Sequence, residues 1–169
     1  MTDKYTKIGQ ELSPADAEFV RLAGAYAPEM KAAEGSADAG PSIQTSGLVI
    51  RAATQGFTKT CTLGTATGTV SGSHTMNYNG VISGWWSSSF KATGSTAVNK
   101  VRAAEHVRMY GLIGSGGIGV VYAADPSSTV SGRTNTFARN ASFTALAAYC
   151  TMQFDTTFYT PSSSFSCAG

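Results

Sequence analysis

Between Lys100 and Asp125 the chain reads KVRAAEHVRMYGLIGSGGIGVVYAAD, and its side chains alternate. Val101, Ala103, Val107, Met109 and Ile113 fall on one side, and Arg102, His106, Arg108 and Tyr110 on the other. A period of two dictates a strand with one buried and one polar face. A glycine cluster follows, then an apolar run from Ile118 to Ala124. Asp125-Pro126 ends that run, because proline cannot donate to a sheet ladder. The stretch therefore predicts two long antiparallel strands, 100–113 and 118–124, joined by a Gly-rich turn at the heart of a β-sandwich.

Gly114, Gly116 and Gly119 match the spacing GxGxxG after that first strand. A dinucleotide-binding loop also requires a helix after the glycines and an acidic residue about twenty positions on. Here Val120-Val121-Tyr122 follows, β-branched and aromatic, and Pro126 comes too soon for a crossover helix. The glycines read as a turn, and no cofactor is expected.

With 169 residues the chain can build one domain with a real core. Only 13% of residues are charged, about half the usual share. Such weakly charged surfaces suit a protein packed against copies of itself. Charge is uneven: residues 1–45 hold four basic and seven acidic residues, and residues 46–169 hold eight basic and three acidic. A strongly nucleic-acid-binding domain would be more basic.

Cys61, Cys150 and Cys167 are widely spaced and form no CxxC. The odd count argues against a disulfide framework, and the apolar patterns around Cys61 and Cys150 predict buried free thiols. No metal site is expected. The start, MTDKYTKIGQ, has no apolar signal core, and no run is long enough to span a membrane. Asn140-Ala141-Ser142 has glycosylation spacing.

The chain divides into an N-terminal arm, 1–45, and a β-body, 46–169. Residues 1–12 are polar. Ser13-Pro14-Ala15-Asp16 is a helix start, with Ser13 as cap and Pro14 at the first helical position. Phe19, Leu22, Ala23 and Tyr26 recur at helical spacing, so a helix is expected over about 14–26, ended by Pro28. Such a short helix is marginal alone, so its apolar stripe should dock on something. Residues 31–45 read as a linker. Strands are expected over 48–53, 57–63, 66–71, 76–86 and about 145–159, with Asn79-Gly80 as a turn. Residues 91–99 and 127–142 read as loops, and PSSSFSCAG as a Ser-rich tail. Strands at this spacing without crossover helices indicate a mainly β, antiparallel sandwich.

Chemistry-bearing residues are few. His74 lies in a Gly-Ser-His-Thr stretch read as a turn, and His106 on the polar side of the central strand. No nucleophile elbow accompanies them. In the body only Glu105, Asp125 and Asp155 could act as carboxylates. No catalytic residue is expected. Arg102, His106 and Arg108 project from one face of one strand, which reads either as a solvated outer face or as a shallow basic patch that would face phosphates or an acidic neighbour. Trp85 and Trp86 are adjacent on a strand, so one indole should be core and the other exposed or buried between subunits.

Arg102, Val107, Arg108 and Tyr110, followed by Gly117, Gly119, Val121 and Ala124, resemble a segment of single-jelly-roll capsid proteins from small icosahedral viruses. In those shells an Arg-bracketed hydrophobic strand leads to a Gly turn and a G-x-V-x-x-A strand. The resemblance covers this stretch alone. It implies a jelly-roll-like subunit of a closed shell around nucleic acid, without enzymatic activity. Two features depart from the family: the arm is acidic and helical, and only 44 residues follow Asp125. The expectation is a self-assembling virion structural protein located in the virion. Its partners would be copies of itself and other virion proteins, with weak non-specific nucleic-acid contact. The arm would dock on a neighbour through Phe19, Leu22 and Tyr26, and Trp85 and Trp86 would add subunit contacts. Alternatives are a bacteriophage decoration, spike or tail-tube protein, and a monomeric carbohydrate- or surface-binding β-module with an exposed tryptophan as platform. A small hydrolase dependent on His74 or His106 is a third.

Overall fold

The computed structural model describes residues 1–32, 53–78 and 83–169. Among them, helix α1 (Pro14–Ala32) precedes nine strands. These are β1 (Ala53–Leu63), β2 (Ala66–Tyr78), β3 (Ser83–Gly94), β4 (Lys100–Leu112), β5 (Ile118–Ala124), β6 (Ser127–Ser131), β7 (Thr134–Thr144), β8 (Ala147–Tyr159) and β9 (Ser164–Ala168). They form two antiparallel sheets, a β-sandwich as the alternating pattern predicts.

The four-stranded sheet runs β1-β2-β3-β7. In the five-stranded sheet β4 is central. It pairs with β8 along one side, from Lys100↔Tyr159 to Gly111↔Ala147. Its other side is shared by β6 at Lys100–Ala104 and β5 at Val107–Leu112. β9 extends the sheet beyond β8. The β4–β5 turn closes through Gly116, at φ 81°, a conformation glycine adopts without a Cβ penalty. The GxGxxG glycines are thus a hairpin turn.

Between the sheets the core is aromatic and β-branched, because inward positions on both sheets carry the apolar half of each alternation. Val70, Phe90, Val101, Ala103, Phe137, Phe154 and Phe158 form one end. Met76, Trp86, Val107, Met109 and Phe143 form the other.

The sheet edges meet at the corners. At one corner Cys61 of β1 and Cys167 of β9 form a disulfide, with Cα atoms 5.7 Å apart, and the Lys59 ammonium donates to the Ala168 carbonyl. The expected free thiol at Cys61 is therefore corrected; only Cys150 is free. The pairing arises because the Ser-rich tail is a strand, and its register against β8 carries Cys167 to the β1 edge. At the opposite corner the Asn135 amide donates to the carbonyls of Val101 and Ser128, tying β7 to β4 and β6.

Several boundaries differ from expectation. The helix continues through Pro28 to Ala32. Gly72-Ser73 does not break β2, because Gly72 is a close approach: a Cβ there would lie 2.4 Å from the Phe90 Cα. Residues 91–94 extend β3, and residues 127–142, read as a loop, hold β6 and most of β7. Their inward set, Asn135, Phe137, Ala141 and Phe143, keeps period two but is diluted by polar neighbours. The expected 48–53 strand (except Ala53), the Asn79-Gly80 turn and the arm–body boundary lie outside the described residues.

Candidate functional site

Three places gather polar or aromatic side chains: the sandwich interior and the outer face of each sheet.

In the interior, His74 on β2, Ser88 on β3 and Glu105 on β4 converge, all buried. β2 is continuous here, so His74 faces the core instead of lying in a turn. The Ser88 hydroxyl donates to Glu105 Oε2 at 2.9 Å, and His74 Nδ1 lies 3.0 Å from Glu105 Oε1. The His74 ring stacks on Phe57 at 4.5 Å. A carboxylate in an apolar core needs such partners, since an unpaired buried charge is strongly unfavourable. The trio resembles a Ser-His-acid site in composition only. A relay uses the two imidazole nitrogens separately, one for the nucleophile and one for the acid. Here Ser88, at 3.4 Å, and Glu105 both reach Nδ1. Nearby, burial pushes the Cys150 thiol up to about 12, helped by the Glu105 charge.

On the outer face of the five-stranded sheet, the expected basic patch is internally neutralised. Arg108 is buried; it donates to Asp125 Oδ1 at 2.7 Å and to the carbonyls of Val107 and Ala124. His106 Nδ1 shares that same carboxylate oxygen at 2.6 Å. Burial alone would raise the Asp125 carboxyl, but hydrogen bonds from Arg108 and His106 overcome it and hold the group below its ordinary value. Arg102 faces Asp155 at 3.5 Å. The carboxylates that face these three side chains, Asp125 and Asp155, belong to the same chain.

The arm covers the rest of this face. Gly9 donates to the Val120 carbonyl, Val120 to the Gln10 carbonyl and Leu12 to the Ile118 carbonyl, so residues 9–12 pair with the free edge of β5. Tyr5, Leu12, Ala17 and Val20 pack on Tyr110, Ile118 and Val120. This buries Tyr110, which the alternation placed on a polar face, and burial raises its hydroxyl pKa. Asp16 fastens the arm, accepting from Lys4 and Ser13 at 2.6 Å and from the Tyr5 hydroxyl at 2.5 Å. Lys4, then Ser13 and Tyr5, hold the Asp16 carboxyl well below the usual range, and Lys4 rises to about 12. The helix thus docks on its own body through Ala17 and Val20. Phe19 lies edge-on to Tyr149 at 5.3 Å, yet it is 48% exposed, and Leu22 is 50% exposed. The side chain of Tyr26 lies outside the described residues.

Among the described residues, none covers the outer face of the four-stranded sheet. Its described side chains include Thr54, Thr58, Thr60 and Thr62 on β1; Thr67, Thr69, Ser71, Ser73, Thr75 and Asn77 on β2; Ser83, Trp85, Ser87, Ser89, Lys91 and Thr93 on β3; and Thr134, Thr136, Ala138, Asn140, Ser142 and Thr144 on β7. Cross-strand hydroxyl pairs form, Thr54 with Thr75 at 3.0 Å and Thr60 with Thr69 at 3.1 Å. The paired tryptophans split as strand geometry requires. Trp86 is core, its indole donating to the Tyr122 hydroxyl at 3.0 Å. Trp85 is half-buried on the outer face, where an open recess is lined by Trp85, Ser87, Asn140, Ala141 and Ser142. The β7 residues beside Trp85 are missed in sequence, because register alone brings Ser142 opposite Trp85 and Asn140 opposite Ser87. The signal that could have found them is the spaced Phe137, Ala141 and Phe143, which marks a strand.

Among the described residues no cluster of three or more His, Cys, Asp or Glu could hold a metal ion, and no helix is long and apolar enough to cross a membrane. No known protein family matches the chain, and no curated protein does.

Proposed function

We propose that this protein is a non-enzymatic binding module that meets a flat partner surface through the outer face of its four-stranded sheet. One observation carries the reading. That face is broad, no described residue covers it, and among its described side chains Lys91 alone is charged. The other outer face is occupied by the arm and by paired charges. The sheet edges are also tied, at Cys61–Cys167, at Asn135 and at residues 9–12, which disfavours edge-to-edge pairing. The disulfide suits an oxidising environment outside the reducing cytosol. The buried Ser88–His74–Glu105 trio supports a structural role for the polar groups, since its serine is inaccessible.

Adsorption to suspended particles of cellulose, chitin and silica tests the reading, using a Thr60→Glu/Ser89→Glu variant and an Arg102→Glu control. Adsorption should be abolished by the first and kept by the second. Adsorption to none of the particles, or loss only with Arg102→Glu, would overturn it.

A second reading, a self-assembling virion subunit in a jelly-roll-like shell or a decoration role, is favoured by half-exposed Phe19 and Leu22 on the arm. An arm that docks on its own β5 edge uses contacts that a neighbour's β5 edge would offer equally. Light scattering decides: a 17.4 kDa monomer at all concentrations contradicts assembly, and closed particles or tubes support it.

A further inference from the structure

We propose that the recess at Trp85 binds one ring of a neutral polysaccharide, with Trp85 as stacking platform and Ser87, Asn140 and Ser142 as hydrogen-bonding partners. This deepens the proposed function and rests on it.

Four features of the recess carry the inference. Its lining joins one large aromatic side chain to two hydroxyls and one amide. A pyranose ring has the same duality, with an apolar face of C–H bonds and a rim of hydroxyls. An indole offers an apolar body for the first, while serine hydroxyls and an asparagine amide both donate and accept, as sugar hydroxyls require.

The recess is also uncharged. Among the described residues Lys91 is the charged group on this face, and it lies six residues along β3 from Trp85, about 20 Å at strand rise. Arg139 belongs to the opposite side of β7, its guanidinium 5.4 Å from the Phe137 ring. An anionic ligand would find no counter-charge in the lining, and a cationic one no carboxylate.

The groups are, moreover, held on paired strands. Trp85 is opposite Ser142, and Ser87 opposite Asn140, in the β3–β7 ladder. Side chains on adjacent strands of a sheet are spaced without loop entropy to lose, which favours binding of a weakly interacting ligand. Finally, β2 places Asn77 opposite Trp85 and Thr75 opposite Ser87, so hydrogen-bonding side chains continue across the sheet from the recess.

The test is calorimetric titration of the full chain, produced in a bacterial host so that the Asn140 sequon stays unmodified. The probes are neutral oligosaccharides (cello-, chito- and malto-hexaose) and an anionic control, oligogalacturonate. Thermal melting verifies that the variants fold. At least one neutral hexaose should bind with little salt dependence. Trp85→Ala should weaken it about tenfold or more, the equivalent of one stacked aromatic contact, and Asn140→Ala severalfold. Binding that survives Trp85→Ala, or that prefers oligogalacturonate and falls with salt, would overturn the inference. So would absence of binding to all three neutral hexaoses while particle adsorption persists, a result that leaves the flat-face reading standing. Absence of adsorption as well would overturn both.

Discussion

The two sheets present outer faces built by the same alternation, and they end in opposite states. On the five-stranded sheet the outward residues of β4 are Arg102, His106, Arg108 and Tyr110, and the chain spends its own arm and two aspartates on covering or neutralising them. On the four-stranded sheet the outward residues are threonine, serine and asparagine with one tryptophan, Trp85, one lysine, Lys91, and Ala138, and no described part of the chain covers them. Large aromatics and charges clustered along one outward strand face demand partners, whereas a single tryptophan or lysine does not. Short hydroxyl side chains do not, because they hydrogen-bond water or one another across strands. Periodicity therefore tells which residues leave the sandwich interior, but residue chemistry tells which of those surfaces is left free.

The sharpest way to break the comparison is at the adjacent tryptophans. Trp86→Ala, which empties the core and removes the bond to Tyr122, should cost about 3–5 kcal/mol of unfolding free energy. Trp85→Ala, which removes a half-buried indole, should cost clearly less, about 1 kcal/mol. Denaturant titration of both variants measures this; equal costs would mean that Trp85 is also structural.

Next in size is the corner where the sheets are locked. Replacing Cys61 and Cys167 by serine should cost about 2–5 kcal/mol and lower the melting temperature, as loss of a disulfide closing a long loop does. Addition of reductant to the wild type should reproduce the shift.

The arm gives a smaller effect. Val20 is fully buried on Tyr110, so Val20→Ala should cost about 1–2 kcal/mol and speed proteolysis within residues 1–20. Leu22→Ala, half-exposed, should leave both nearly unchanged. Reversal of that order would mean that the helix docks through Leu22 and not through Val20.

The weakest effect is electrostatic. Because Asp125 is held below its ordinary value when folded, its contribution is fully present above the unfolded carboxylate pKa, near 4, and is lost as pH falls through the lowered value. Asp125→Asn should therefore destabilise at pH 7, and the gap to wild type should close as melting is followed down below pH 4. A gap independent of pH would mean that the Arg108–Asp125 contact contributes no charge-dependent stability.

Much of this was legible in the sequence. The strand pair around Gly114–Gly119 and the capped start of α1 follow from local pattern, and so does the split of Trp85 from Trp86. What was hidden depends on pairing between distant segments. Cys167 meets Cys61 only because β9 takes its register from β8, and Asn140 meets Ser87 only through the β3–β7 ladder. His74 could not be placed while Gly72-Ser73 looked like a break. Tyr110 looked exposed because nothing local reveals that Tyr5 and Val20 fold back over it.

The measurement that tests the central claim most directly is iodide quenching of each indole separately, in Trp86→Phe and Trp85→Phe proteins, free and adsorbed on cellulose or chitin. With the open face as the contact surface, Trp85 should be quenched in the free protein and shielded on the particle, while Trp86 stays inaccessible in both states. Equal quenching of Trp85 free and adsorbed would contradict the account and move the contact surface elsewhere on the molecule.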